Sequence, residues 1–166
     1  MTEMQMNVTK ATRHAKICGN FGEVTILYWL SKYGFESAIV DHTGIDIIAR
    51  NPHPPQEIMG ISVKSRTRTT KTEHDYITIP NDNFTKVEAA CKAFGCVPYF
   101  AFVVDAGETI RAFVLSLRHL LEYFPQGKTA VYWKMTDEYL KRYAADKEIK
   151  TFEFKTQTTC WWEAAK

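Results

Sequence analysis

Two apolar runs interrupted by charge constrain this chain more than any other feature: Gly44-Ile45-Asp46-Ile47-Ile48-Ala49 and Gly60-Ile61-Ser62-Val63-Lys64-Ser65-Arg66. Both read as neighbouring strands. Strict alternation puts Ile45, Ile47 and Ala49 on one face of the first, with Asp46, Ile48 and Arg50 on the other. On the second, Ile61 and Val63 form the apolar set, and Ser62, Lys64 and Arg66 point the opposite way. A carboxylate and an ammonium inside such runs are costly to bury unless they are paired or hold an ion, so they ask for a reason.

Upstream, Cys18-Gly19-Asn20-Phe21-Gly22-Glu23-Val24-Thr25-Ile26-Leu27-Tyr28-Trp29-Leu30 reads as a helix. A stripe at helical spacing, Gly19, Gly22, Ile26, Leu30 and Tyr33, is the face expected to pack on a sheet, and Glu23 sits on it. Each glycine costs a helix about 1 kcal/mol relative to alanine, so two on one face imply close backbone approach to a neighbour. That approach brings Glu23 towards Asp46.

The order Gly-x-x-Gly-Glu on a helix, Gly44-x-Asp46, then Ser62-Val63-Lys64 resembles the PD-(D/E)xK nuclease superfamily with its restriction-endonuclease-like fold. It is most similar in flavour to archaeal Holliday junction resolvases and related Mrr-type nucleases, whose helix likewise ends in a Gly-aromatic pair, here Gly34-Phe35. The resemblance covers about the first two thirds of the chain. It implies an α/β fold: an αβββαβ core with a central mixed sheet flanked by helices, followed by a C-terminal α/β extension. The expected organisation is one nuclease-like domain over 1–166, with the core at about 9–115 and the extension at about 116–166.

Composition fits one compact domain: 166 residues, 45% hydrophobic and 24% charged, can bury a core without staples. Net charge is only +2, so a nucleic-acid partner has to be met by a local patch. Met1 to Lys16 shows no apolar run ahead of a small-residue cleavage site, and no stretch is long enough to span a bilayer, so the expectation is a cytoplasmic protein without membrane partners. Cys18, Cys91, Cys96 and Cys160 lack zinc-site spacing and are expected as reduced thiols.

Along the chain, a first helix is expected from about Thr9 or Lys10 to Tyr33, ended by Gly34. Strands follow at Glu36 to Asp41, Ile45 to Arg50 and Glu57 to Arg66, the last two separated by a loop carrying Pro52, Pro54 and Pro55. Tyr76 to Pro80 reads as a short strand. Asn81-Asp82-Asn83 reads as the cap of a helix that buries Phe84, Val87, Ala90, Cys91 and Phe94 and closes at Gly95. Val97 to Asp105 is a nearly continuous apolar run, expected as a strand buried on both faces and paired with Thr109 to Leu115 across a turn. A helix (Leu117 to Tyr123), a strand (Val131 to Lys134), a helix (Thr136 to Tyr143) and a strand (Lys150 to Phe154) complete the chain.

The resemblance implies catalytic roles for Glu23, Asp46 and Lys64. Glu23, Asp46 and the Val63 backbone carbonyl would hold Mg2+ (or Mn2+), a hard cation that prefers oxygen ligands, and Lys64 would neutralise the phosphate or position the attacking water. The implied activity is a Mg-dependent deoxyribonuclease. A homodimer is expected because one metal centre cuts one strand and two-fold symmetry supplies the second cut, with the aromatic-rich second half offering apolar surface for the contact. Ser62 departs from the family pattern, which has Glu, Asp or Gln there. It stands as an auxiliary residue, and it leaves open a second reading: a decayed nuclease fold that binds nucleic acid or protein. Arg66, Arg68 and Lys71, within a run of alternating basic and hydroxyl residues, suit DNA phosphates.

Bland rivals stand beside each reading. Asp46 and Lys64 alone fit a buried ion pair, and Glu23 fits a salt bridge to Arg13 or Lys16. Tyr132, Trp133, Trp161 and Trp162 could stack on bases, but core or subunit packing explains them as well. None of His14, His42, His53, His74 and His119 shows metal spacing. Serine chemistry by Ser62 with Lys64 lacks any oxyanion-hole signature.

Overall fold

The structure is a computed structural model that describes residues 10–69 and 71–156. The elements run α1 (His14–Lys32), β1 (Glu36–His42), β2 (Ile45–Arg50), β3 (Ile58–Arg68), β4 (Ile77–Pro80), α2 (Asn81–Phe94), β5 (Val97–Ala106), β6 (Thr109–Ser116), α3 (Leu117–Tyr123), β7 (Ala130–Trp133), α4 (Asp137–Ala145) and β8 (Lys150–Lys155). Six strands form one mixed sheet in the order β1-β2-β3-β5-β6-β8, and β4 pairs with β7 in a small second sheet. Within the large sheet only β3 and β5 run parallel. Parallel neighbours need a crossover. Here β4 and α2 supply it.

The strand periodicity explains the layering. Along β5, Ala101 and Val103 face one core with Ile26 and Leu30 of α1, while Phe100, Phe102 and Val104 face the other with α2, α3, β4 and β7. Trp133 and Tyr143 are fully buried in that second core, their rings stacked at 4.1 Å. Trp133 therefore packs the interior, whereas Tyr132 is partly exposed; Trp161 and Trp162 lie outside the described residues. The C-terminal extension joins both sheets: β8 pairs with β6, and β7 with β4.

α1 lies along β3 through small residues. A Cβ at Gly22 would stand 2.6 Å from the Ser65 Cβ, Cys18 Sγ lies 3.3 Å from Ser65 Oγ, and His14 Nε2 lies 3.0 Å from Thr67 Oγ1. The packed row is His14, Cys18, Gly22 and Ile26, spaced by four. The expected stripe is therefore corrected at two positions: Gly19 has nothing within 4 Å of where a Cβ would stand, and Tyr33 is exposed, because the helix ends at Lys32. The start is later than expected as well, at His14. The end follows the glycine: Gly34 (φ +84) donates to the Ser31 carbonyl and Phe35 to the Leu30 carbonyl, which closes a Schellman motif.

Other boundaries move as well, two of them near the site. β3 continues to Arg68, because its parallel pairing with β5 runs on to Ala106. Asn81, Asp82 and Asn83 form the first turn of α2 instead of its cap; Pro80, paired with Ala130, is the N-cap, so the helix starts directly from the strand. Asn81 is used elsewhere, donating from its backbone to Thr129 and from its side chain to Gly127.

Candidate active site

The site forms where β2 leaves β3. Their ladder stops at Ile47 opposite Ile61, and the Val63 N–H that the next rung would have used donates instead to Asp46 Oδ2 at 2.6 Å. Gly44 explains the departure. It sits at φ +106 and packs on the backbone of Lys86 in α2, so close that a side chain would strike the Lys86 carbonyl. The β1–β2 turn is thus docked on α2, and Ile45 follows it into the α2-side core while Ile47 and Ala49 stay under α1. The expected common face for Ile45, Ile47 and Ala49 is corrected here: alternation breaks at Asp46 because the strand has left its partner.

Side chains from both faces of the sheet meet at this opening. Glu23 reaches it from α1, next to the Gly22 contact, and its carboxyl is held above the usual range by burial and by the negative charge of Asp46. Ser62, Lys64, Arg66 and Arg68 alternate onto the opposite face of β3. Ser62 is buried, and Lys64 Nζ donates to its Oγ at 3.1 Å. Burial pulls the Lys64 ammonium below the usual lysine range; Asp46 opposes the shift and Arg66 adds to it. Among the described residues, Asp46 and Lys64 form no ion pair within 4 Å, nor does Glu23 with Arg13 or Lys16. The charges are gathered without being spent on one another.

No protein-family model matches the sequence, and no curated protein does. A solved structure does match: the Holliday junction resolvase Hjc of Archaeoglobus fulgidus, an archaeal hyperthermophile, at 16% identity and a TM-score of 0.51. The likeness covers 70% of this chain and 83% of that one. The fold is restriction-endonuclease-like. The mixed sheet and its flanking helices match the αβββαβ core expected from the sequence. No helix among the described residues is long and apolar enough to cross a membrane.

The basic residues divide. Arg66 is exposed and its charge is felt at Lys64, and Lys71 is exposed beyond the end of β3. Arg68 is half-buried and donates to the Tyr76 carbonyl at 2.9 Å, bracing the approach to β4; Thr70, within the same run, lies outside the described residues. Two groups escaped sequence reasoning. Asp82 and Lys86, an i,i+4 pair 2.7 Å apart on α2, both act on Lys64 electrostatically, and only their helical spacing hinted at a shared role. His119, Glu122 and Glu148 bring one ligand atom each within 4.8 Å of one another. His119-x-x-Glu122 on a helix was the sole local signal for that cluster.

Proposed function

We propose that the chain is a metal-dependent endonuclease that hydrolyses DNA phosphodiester bonds, structure-specific in the manner of a junction resolvase. The observation that carries this reading is the convergence of Glu23, Asp46 and Lys64 at the β2–β3 opening without mutual ion pairing. Two carboxylates close enough for one to raise the other's pKa present oxygen donors in need of a cation. They fit Mg2+ or Mn2+, with the Val63 carbonyl as a backbone donor. Such an ion supplies Lewis acidity and a water of lowered pKa.

The protein's own part follows from its geometry. Asp46 is oriented by the Val63 N–H through Oδ2, which leaves Oδ1 without a protein partner among the described residues. Glu23 adds the second carboxylate from α1, compensating for the neutral Ser62. Lys64, steadied by Ser62, places a positive charge beside the position of the scissile phosphate and stabilises the charge that develops there. Arg66 and Lys71 extend the cationic surface along the backbone of the DNA. Incubation with branched, linear duplex and single-stranded DNA, with manganese or with chelator, tests the reading. Cleavage is expected only with the cation and best on branched substrate. Binding without cleavage under every condition favours the decayed fold, for which Ser62 is the chief mark.

Cutting both strands from one centre per chain calls for two copies related by symmetry. Trp133 and Tyr143 are buried, so among the described residues they offer no surface to such a contact. A stripe on α1 offers an apolar face: Ile17, Phe21, Val24 and Tyr28, all exposed and spaced for one side of the helix. A dimer through α1 would set two Glu23 side chains on either side of the contact. Val24→Glu is expected to give the monomer mass by light scattering while far-UV circular dichroism stays unchanged.

A further inference from the structure

We propose that His119, Glu122 and Glu148 bind one divalent transition-metal ion of the zinc class, at a site built from α3 and the α4–β8 connection. The argument begins with the imidazole. His119 is buried in α3, and its Nε2 lies 2.8 Å from Asp146 Oδ2. An ionised carboxylate only accepts, so Nε2 carries the hydrogen. Asp146 is itself fixed, accepting from the Tyr123 hydroxyl at 2.9 Å on Oδ2 and from the Glu148 N–H at 2.8 Å on Oδ1. In the neutral ring the lone pair therefore resides on Nδ1. A carboxylate behind a histidine is the usual device for presenting the other nitrogen to a metal.

Nδ1 faces two anions, so by the same rule it carries a hydrogen when no metal ion is bound, and its lone pair is what a metal ion would take. Glu122 Oε2 lies 2.9 Å from Nδ1 and Glu148 Oε2 lies 3.4 Å from it. Arg118 holds the outer oxygen of each carboxylate, Glu122 Oε1 at 3.2 Å from Nη1 and Glu148 Oε1 at 3.5 Å from Nη2, so both inner oxygens turn towards the ring. Three electron pairs then converge on one point, and only a cation relieves them: a proton on Nδ1 or a metal ion. The charges favour the metal. Glu122, Glu148 and Asp146 bring three negative charges and Arg118 one positive, a balance of two that one divalent ion neutralises.

Dimensions and donor chemistry name the class of ion. A tetrahedron with bonds of about 2.0–2.1 Å has edges of roughly 3.3 Å. The two nitrogen–oxygen separations, 2.9 and 3.4 Å, bracket that edge. An imidazole nitrogen suits zinc, nickel or copper and disfavours magnesium and calcium. With three protein ligands one position stays open to water, and the two glutamates, each more than half exposed, give the ion a way in from solvent. Bound there, the metal would pin the start of β8 to α3. None of this depends on the nuclease reading, since no ligand is shared with Asp46 or Glu23.

The test uses Zn2+ itself, titrated calorimetrically into the full chain carrying Glu23→Gln and Asp46→Asn, so that the β2–β3 opening contributes nothing. One zinc per chain is expected, with a rise in Tm. Glu122→Gln and Glu148→Gln, both at exposed side chains that leave the buried histidine in place, should each weaken binding at least tenfold and abolish the Tm rise. Zinc should also displace the Nδ1 hydrogen and shift the His119 Nδ1 resonance in 15N spectra, a signature that general stabilisation does not produce. No zinc binding, binding indifferent to both glutamine variants, or an Nδ1 resonance unmoved by zinc would overturn the proposal and leave the proton as the cation.

Discussion

Carboxylates gather at two places in this molecule, and what surrounds them differs. At the β2–β3 opening, Asp46 has one oxygen anchored by the Val63 amide, Glu23 arrives from a helix, and Lys64 stands free of both. At α3, every side chain of the His119 cluster is held by a second one, with Asp146 behind the ring and Arg118 outside both glutamates. A loosely held set of oxygens can exchange ligands with a phosphate during a reaction; a braced set is suited to keeping one ion in place. The first arrangement reads as a working centre and the second as a clasp.

The sharpest way to break this contrast is at Asp46. Asp46→Asn should reduce cleavage below detection while leaving stability within about 1 kcal/mol, because the amide oxygen still accepts from Val63. Asp46→Ala should lose the same activity and a further ~1–3 kcal/mol by chemical denaturation, since it orphans that N–H. Lys64→Ala should cost roughly 100- to 1,000-fold in the cleavage rate with the metal affinity little changed. Activity undiminished in these variants would remove the opening from the chemistry.

Next in size is the Glu23 cycle. Glu23→Ala should lower manganese affinity and cleavage by about 10- to 100-fold. Combination with Ser62→Glu should restore part of that loss, because a carboxylate returns from the neighbouring strand beside Lys64. Ligands of one ion are non-additive, so the double variant decides the matter. If Glu23→Ala changes neither quantity, the opening holds a single useful carboxylate and the decayed reading gains.

A smaller effect separates the two places directly. Glu148→Gln should cleave DNA with manganese at the parent rate yet lose about 10-fold in zinc affinity. Impaired manganese cleavage in this variant would show the two clusters to be coupled. The smallest differences belong to the basic residues. Lys71→Gln and Arg66→Gln should each lower the salt dependence of DNA binding by about one unit of slope. Arg68→Gln should act mainly on stability, because its guanidinium braces Tyr76. Equal salt slopes in all three variants would contradict that division.

Much of the opening was legible because its signals are local. Asp46 and Lys64 each break the apolar alternation of a strand, β2 and β3 respectively. Gly22 announced a close approach and makes one with Ser65. Gly34 and Gly95 both adopt the positive φ that closes a helix. Ile45 departs from the face its alternation predicts for an equally definite reason. Alternation assumes a strand that stays beside its partner, and β2 leaves β3 at the rung where Asp46 takes the amide.

What the sequence by itself determined is the set of elements and the unusual residues within them, since periodicity, turn chemistry and the cost of buried charge act over a few residues. The tertiary structure alone decided which of those residues meet. The docking of Gly44 on α2, the exposed stripe on α1 and the meeting of His119 with Asp146 and Glu148 all depend on contacts between elements distant in the chain. The physical reason is range: a backbone hydrogen bond or an apolar spacing is written within a turn or a rung, but the electrostatic surroundings of a side chain are set by whatever packing brings beside it.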